Sequence, residues 1–329
     1  MGSPRPFTSL VPALGLEYVG IPGLPSQGKV FFVKPYSGSD SSSGRRPDRA
    51  MKTLKGALAK CTAGHNDVVY LMAESNTAAY TTDYLTTYLD WNKDAVHLIG
   101  VNAGAAMGQR SRVAWASTTS TSTATELFRV SANNCLIANI EFYQGLASAT
   151  SMLGCMKVTG MRNKFYNCQI AGIGHVDNDI SGAYSLYLYG AQENIFERCT
   201  IGLDTVTRTT ATASEILVDN MSPRNEFYNC KIISFLGSST QHPQIYVGSN
   251  TGVDRWLLFT YCQFINSSLN ATYPQTYVIA EAAALASGSI LIHHCAAFGA
   301  TNFSAASKNV QLVNSPINTA YTGGTGYKA

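Results

Sequence analysis

The sequence predicts an all-β protein, a single-stranded right-handed parallel β-helix with a short capping α-helix near its N-terminus. Two rows of residues that recur about every thirty-one positions predict the coils, and one amphipathic stretch predicts the cap. Cys168, Cys199, Cys230, Cys262 and Cys295 are spaced by 31, 31, 32 and 33 residues. The text around them repeats as well, in Asn163-Lys-Phe-Tyr-Asn-Cys-Gln-Ile170, Asn194-Ile-Phe-Glu-Arg-Cys-Thr-Ile201 and Asn225-Glu-Phe-Tyr-Asn-Cys-Lys-Ile232. Looser copies follow at Leu258–Phe264 and Ile292–Phe298, and a degraded one at Leu136–Phe142 puts Ile140 in the cysteine slot.

A second short apolar segment precedes each cysteine segment. Its last apolar residues are Val158, Leu188, Val218, Val247 and Ile279, and Val310-Gln-Leu312 reads as a final copy. These segments alternate like strands and are separated by Gly, Asn, Ser and Thr, with no helical pattern between them. Helical repeats and leucine-rich horseshoes are thereby excluded, and propeller blades need roughly 40 residues each. If each repeat is one coil, equivalent residues stack at about 4.8 Å and the inward rows become continuous apolar ladders. Cysteine packs there as a small apolar residue. Asn163, Asn194 and Asn225 form a further row, expected at a left-handed corner with side-chain amides bonded from coil to coil.

The cap is expected at about residues 51–63. Leu54, Ala57, Leu58 and Cys61 fall on one helical face, Thr53 suits the N-cap, and Gly64 suits the left-handed position after the helix. A helix over the first coil covers an otherwise open sheet edge.

Composition narrows the function. Charged residues make up 13% and hydrophobic ones 45%, which argues against disorder and for surface that meets more than water. The net charge of +3 is scattered, so no nucleic-acid partner is expected. No apolar run approaches the roughly 18 residues of a membrane span, so no membrane insertion is expected. Prolines 4, 6 and 12 interrupt the first residues and argue against a secretory signal. The eight cysteines are therefore expected as thiols, and the absence of any C-x-x-C pair argues against zinc or redox chemistry. Neither a cofactor nor a metal is expected.

The chain divides into an extended proline-rich arm at 1–28, the β-helix at 29–315 and a Gly-, Thr- and Tyr-rich tail at 316–329. The segment Lys29-Val-Phe-Phe-Val-Lys-Pro-Tyr-Ser-Gly-Ser-Asp40, followed by Gly44, Pro47, Met51-Lys-Thr-Leu-Lys-Gly-Ala-Leu-Ala-Lys-Cys61, Gly64 and Asp67-Val-Val-Tyr-Leu71, carries a family resemblance. It resembles the entry module of right-handed parallel β-helix proteins of the pectate-lyase-like superfamily, including those of phage virions and tailspikes. The resemblance covers about 45 residues, and the repeats extend it over most of the chain. It implies fold and not chemistry, because that superfamily holds lyases, hydrolases, tailspikes and non-catalytic virion proteins.

Carboxylates gathered on outward positions of neighbouring coils would mark an enzyme on this fold. The positions before the cysteine row read Asn139, Asn167, Arg198, Asn229, Tyr261 and His294. Those after it read Glu141, Gln169, Thr200, Lys231, Gln263 and Ala296, so twelve positions hold one acid and no acid pair. The other strand row places Lys157, Tyr187, Leu217, Tyr246 and Val278 before the apolar residue, and Thr159, Tyr189, Asp219, Gly248 and Ala280 after it. That face is rich in tyrosine, which suits a protein interface or a sugar platform, with Lys157, Tyr187, Tyr189, Asp219 and Tyr246 as the candidate residues. Asp177 and Asp179, beside His175 in the loop 172–182, are the fallback acid pair, although Asp, Asn and Gly there are also ordinary turn material. His293-His294 lacks a third ligand, and Arg45-Arg46 reads as a solvated loop.

The expected function is a non-catalytic structural protein of a phage particle, capsid-decorating or tail-associated, self-associating through the tyrosine-rich face. Its expected location is the virion, assembled in the host cytoplasm. Expected partners are two further copies in a homotrimer and other virion proteins such as a capsid shell. The alternative is a polysaccharide lyase or glycoside hydrolase acting in a groove along the coils, with a surface polysaccharide as partner. No separate domain is expected after the coils, which disfavours a receptor-cleaving tailspike.

Overall fold

Three parallel sheets run the length of the molecule, built from strands that follow one another round each coil. In the computed structural model the described residues are 28–75, 82–102, 110–116, 125–147, 154–237, 242–267, 275–304 and 309–318. Sheet A has ten strands from Val30–Val33 to Val310–Val313, sheet B nine from Thr82–Leu85 to Ile317–Asn318, and sheet C eight from Leu89–Trp91 to Ala300–Ser304. Every strand pairing is parallel, and the solenoid winds right-handed, as parallel crossovers do. The expected arm lies almost wholly, and the expected tail mostly, outside the described residues.

One coil illustrates the rest. Lys164–Tyr166 lies in sheet A and Gln169–Ala171 in sheet B; after a longer loop, Tyr184–Tyr189 lies in sheet C. Between the first two strands sits the cysteine, at a corner rather than within a strand. The residue before it takes up the left-handed conformation in coil after coil: Asn139, Asn167, Arg198, Asn229, Tyr261 and His294 have φ between 50° and 56°. These six are therefore corner residues and not the outward members of an alternating strand. For a non-glycine residue that conformation costs roughly 1–2 kcal/mol. Each cost is offset by a bond to the next coil, as in Asn167 N–H to Glu197 O at 2.9 Å and Arg198 N–H to Tyr228 O at 2.9 Å.

Cys168, Cys199, Cys230, Cys262 and Cys295 are buried free thiols. Each Sγ donates back into the preceding coil; Cys199 Sγ meets Phe165 O at 3.5 Å and Cys230 Sγ meets Phe196 O at 3.4 Å. Beside them runs a phenylalanine stack. Phe165–Phe196, Phe196–Phe227 and Phe227–Phe259 lie 4.4, 4.7 and 4.6 Å apart with rings within 13° of parallel. Away from the ladder, burial raises Cys61 to about 12 and Cys135 to about 11, so both stay protonated thiols at neutral pH.

The asparagine row is a buried amide ladder. Asn163 N–H donates to Asn194 Oδ1 at 2.9 Å, and Asn194 donates to Asn225 Oδ1 through both its backbone N–H, at 3.1 Å, and its Nδ2, at 3.0 Å. The left-handed corner expected at these asparagines lies one residue earlier, at Arg162, Glu193 and Arg224, with φ of 57°, 56° and 58°. The asparagines themselves turn inward, where their amides satisfy backbone groups that no strand reaches.

Two assignments of the second row change. Val158, Leu188, Val218 and Val247 stack as expected, but Ile279 pairs with Ile245 and Val247 with Glu281. The longer strand Gln275–Glu281 admits a register two residues away. Val310–Val313 belongs to sheet A, pairing with Ile290–His293, while Ala300–Ser304 continues sheet C. A three-residue apolar motif carries no information about which face it joins.

The cap is the helix Leu54–Lys60, which buries Leu54, Ala57 and Leu58, and Thr53 Oγ1 accepts from Gly56 N–H at 3.0 Å. The helix closes earlier than Gly64 suggests, with Cys61 N–H donating to Leu58 O at 3.1 Å. Gly64 has φ +78° but serves the following turn, donating to Asp94 O at 2.7 Å.

Asp83 accepts from Leu54 N–H at 2.8 Å at the start of this helix. Burial, and less so the carboxylate of Asp40, raise its pKa to about 6 although the Leu54 bond works the other way. The folded state then holds the proton more tightly than the unfolded chain. Asp83 therefore contributes stability that is present below about pH 4 and fades as pH rises through 6. Asp83→Asn is expected to remove the stability difference between about pH 7 and pH 5, on the order of 1 kcal/mol. Melting temperatures at both pH values check this; an unchanged slope in the variant would refute the assignment.

Candidate functional site: the outer face of sheet C

Strand register brings the tyrosine-rich row together. Asp90, Arg129, Lys157, Tyr187, Leu217 and Tyr246 occupy successive coils in one line across sheet C. Tyr189 and Asp219 pair in the adjoining line. Val278 does not join the row; it is fully buried, and Ala280 stands opposite Tyr246 because of the shifted register.

Lys157 Nζ lies 5.1 Å from the Tyr187 ring centre and 4.5 Å from that of Tyr189. The two rings meet edge-on at 5.4 Å, and Tyr184 packs against Tyr187 at 5.0 Å. Tyr184 was not among the candidate residues. Its ring lies flat over Gly154, where a Cβ would fall 1.9 Å from the ring, so only glycine fits beneath it. Burial first, then the charge of Asp219, push the Tyr187 hydroxyl above its usual range, so it stays a neutral hydrogen-bonding group. Asp219 accepts from Ser249 Oγ at 2.5 Å and from Asn220 N–H at 2.7 Å. With Tyr189 39% exposed, the cluster presents aromatic surface and one ammonium to the outside. Towards the N-terminal coils the line continues through Arg129, which pairs with buried Glu126 and covers the Tyr88 ring at 4.8 Å. No cysteine repeat marks those coils, so the pattern carried no sign of them.

The fallback acids do not converge. Asp177 is exposed in a single 3₁₀ turn, Val176–Asn178, with its Oδ2 3.5 Å from His175 Nδ1. Asp179 is buried and ties its loop to the next coil, accepting from Thr209 N–H at 2.5 Å, Thr209 Oγ1 at 2.8 Å and Thr210 N–H at 3.1 Å. One carboxylate faces water and the other holds a loop. Glu141, the lone acid flanking the cysteine row, is also buried, between Arg110 and Arg112. His293 and His294 sit edge to face, with Tyr261 stacked on His294 at 5.3 Å.

A second polar cluster, invisible in the repeat, lies between sheets B and C. Glu215 accepts from Ser185 Oγ at 2.5 Å and from Arg208 Nε at 3.0 Å, and His242 Nε2 lies 3.6 Å away. Serine, histidine and glutamate meet here, but the hydroxyl donates to the carboxylate rather than to the imidazole. All four side chains are fully buried, so the cluster joins coils and offers no nucleophile to a substrate. Among the described residues no group of His, Cys, Asp and Glu could hold a metal ion, and no helix is long and apolar enough to cross a membrane.

Comparison with known proteins places this geometry in a fold class. No family model and no curated protein matches the sequence. Solved structures do match. A pectin methylesterase in complex with a hexasaccharide aligns with a TM-score of 0.58 at 14% identity, over 88% of this chain and 91% of that one. A pectate lyase aligns with 0.56 at 16% identity, over 90% and 72%. ORF18 of Geobacillus virus E2 aligns with 0.51 at 14% identity, over 77% of this chain and 46% of that one. The chain has the parallel β-helix fold that these esterases, lyases and phage protein share. At such identities the likeness is one of fold.

Proposed function

We propose that the chain is a non-catalytic structural protein of a phage particle, self-associating as a homotrimer through the outer face of sheet C. The observation that carries this reading is the Lys157–Tyr184–Tyr187–Tyr189 cluster, aromatic surface set on a rigid sheet. Eight strands at about 4.8 Å make a face about 34 Å long, commensurate with the ~800 Å² per partner of a standard interface. Tyrosine is enriched in such patches, and Lys157 is held over two of the rings rather than left in solvent. The carboxylates Asp177, Asp179, Glu141 and Glu215 are separately placed or engaged in holding the coils, and the phage protein supplies a precedent for the fold in a virus.

Light scattering on the full chain is expected to give a trimer, and Tyr189→Glu, at a position 39% exposed, a monomer that keeps the β-sheet circular dichroism of the wild type. A wild-type monomer that adheres to no assembled particle in electron micrographs would remove the proposal.

One observation favours a second reading, a polysaccharide lyase or glycoside hydrolase. Asp219 lies part-exposed on the same face as Tyr187 and Tyr189, as an acid beside a sugar-stacking platform would. Release of reducing ends from an acidic polysaccharide, abolished in Asp219→Asn, would establish it in place of the first.

A further inference from the structure

The outer face of sheet B carries an aromatic slot in its first three strands. Strand register sets Tyr84, Ala114 and Tyr143 opposite one another in successive coils. Two tyrosines thus stand about 9.6 Å apart along the solenoid with an alanine between them as floor. Tyr84 is 46% exposed. Tyr143 is held in place: the Arg112 guanidinium lies 4.3 Å from its ring centre, its hydroxyl donates to Gly174 O at 3.3 Å, and Gly145 packs beneath it where a Cβ would fall 2.2 Å from the ring. Arg112 shares buried Glu141 with Arg110, so one carboxylate serves two guanidinium groups and the slot pairs apolar ring faces with a net positive charge at its base. These residues line a groove of about 550 Å³.

A slot between two aromatic rings with a small floor fits a proline ring. Proline brings a rigid apolar face and has no N–H to leave unsatisfied against one. Proline-rich segments pre-ordered as polyproline II dock on aromatic-lined grooves for this reason. The sequence holds a proline-rich segment outside the described residues. Residues 1–27 contain Pro4, Pro6, Pro12, Pro22 and Pro25, and they join the structure at Gly28. Gly28 lies against Asn66 in the first coil, the end of the solenoid where the slot also lies.

Reach separates the prolines. Of Pro22 and Pro25 only the first can span the distance, with six residues and about 20 Å against three residues and about 10 Å. Pro4, Pro6 and Pro12 can all do so as one group, since the sixteen residues from Pro12 to Gly28 span up to about 53 Å. The slot lies within two strand spacings of the first coil, about 10 Å along the axis, and faces of such a coil lie only about 10 Å apart. A short tether also keeps the local concentration of the segment in the millimolar range.

We infer that residues 4–12 of the chain's own N-terminal arm dock in the slot between Tyr84 and Tyr143. The inference is independent of the association through sheet C. It strips water from two tyrosines and closes the arm back onto the first coils.

The test uses the full chain with a benzophenone side chain in place of Tyr84. Ultraviolet irradiation of a mixture of isotopically light and heavy protein, followed by mass spectrometry, is expected to give cross-links to residues 4–12 within one chain. Pro4→Ala, Pro6→Ala and Pro12→Ala together are expected to reduce their yield several-fold. Absence of cross-links to the arm, or a yield indifferent to the prolines, overturns the inference. Mixed light–heavy products would transfer the slot to a neighbour's arm, and displacement by a soluble hexasaccharide would transfer it to a glycan; either outcome also overturns it.

Discussion

Arg208→Ala is expected to destabilise the folded chain by about 3–5 kcal/mol, the usual cost of leaving a buried charge without its partner. Arg208 is fully buried, and its Nε bonds Glu215 at 3.0 Å while Nη1 bonds Ile173 O at 3.1 Å and Val206 O at 2.7 Å. Burial by itself would raise the pKa of Glu215. The Arg208 guanidinium, with His242 and the Ser185 hydroxyl, outweighs it and holds the carboxyl below its ordinary range. With a depressed folded-state pKa, the wild type keeps this contribution above the unfolded carboxyl value near 4.5 and loses it as pH falls through the folded value. Removing the arginine reverses the sign, because burial then dominates and the folded state prefers the neutral acid. The loss should accordingly be larger at about pH 8 than at about pH 5, and Glu215→Gln in the same chain should restore a large part of it. Denaturant titrations at the two pH values decide the matter. A loss that is small and independent of pH would mean that Glu215 is not held as an anion by Arg208.

The cysteine and asparagine rows are those where neighbouring coils repeat one demand. Cysteine recurs at a corner that takes a compact apolar group, with Ile140 in the same slot one coil earlier, and asparagine recurs where inward backbone groups need an amide. Both rows therefore leave letters at a fixed period, and the solenoid follows from them. What they do not carry is handed to other residues. The left-handed corner accepts asparagine, arginine, tyrosine and histidine alike at 167, 198, 261 and 294, because the inter-coil bond comes from the backbone and not from the side chain. A position open to four residue types has no signature. In the Arg208–Glu215–His242 cluster only Glu215 stands on a strand, Ser214–Asp219, while Arg208 and His242 come from the segments between strands, so its members stand at no common interval. Residues of the sheet C face were legible as a row once the period was known. Tyr184 and Arg129 were not, since the first depends on Gly154 beneath it and the second on a coil without the cysteine.

Phe196→Ala is expected to cost about 3–5 kcal/mol, as large as any single core truncation on this chain. Phe196 is fully buried and stacked on both faces, 4.4 Å from Phe165 at 4° and 4.7 Å from Phe227 at 7°. Truncation opens a cavity with a ring on each side. Neither neighbour can collapse into it, because their strands are fixed by parallel pairing at Phe165–Phe196 and Phe196–Phe227. Phe196→Leu keeps most of the volume and should cost less than about 1.5 kcal/mol. The solenoid makes the effect directional: each coil touches only its neighbours, so the lost energy falls on the coils above and below. Amide exchange should accelerate most in Lys164–Tyr166 and Asn225–Tyr228 and little in Val68–Met72, whose strand lies at the other end of sheet A. A uniform acceleration over the whole sheet would show that the coils open together, and the nearest-neighbour account of this fold's stability would then fail.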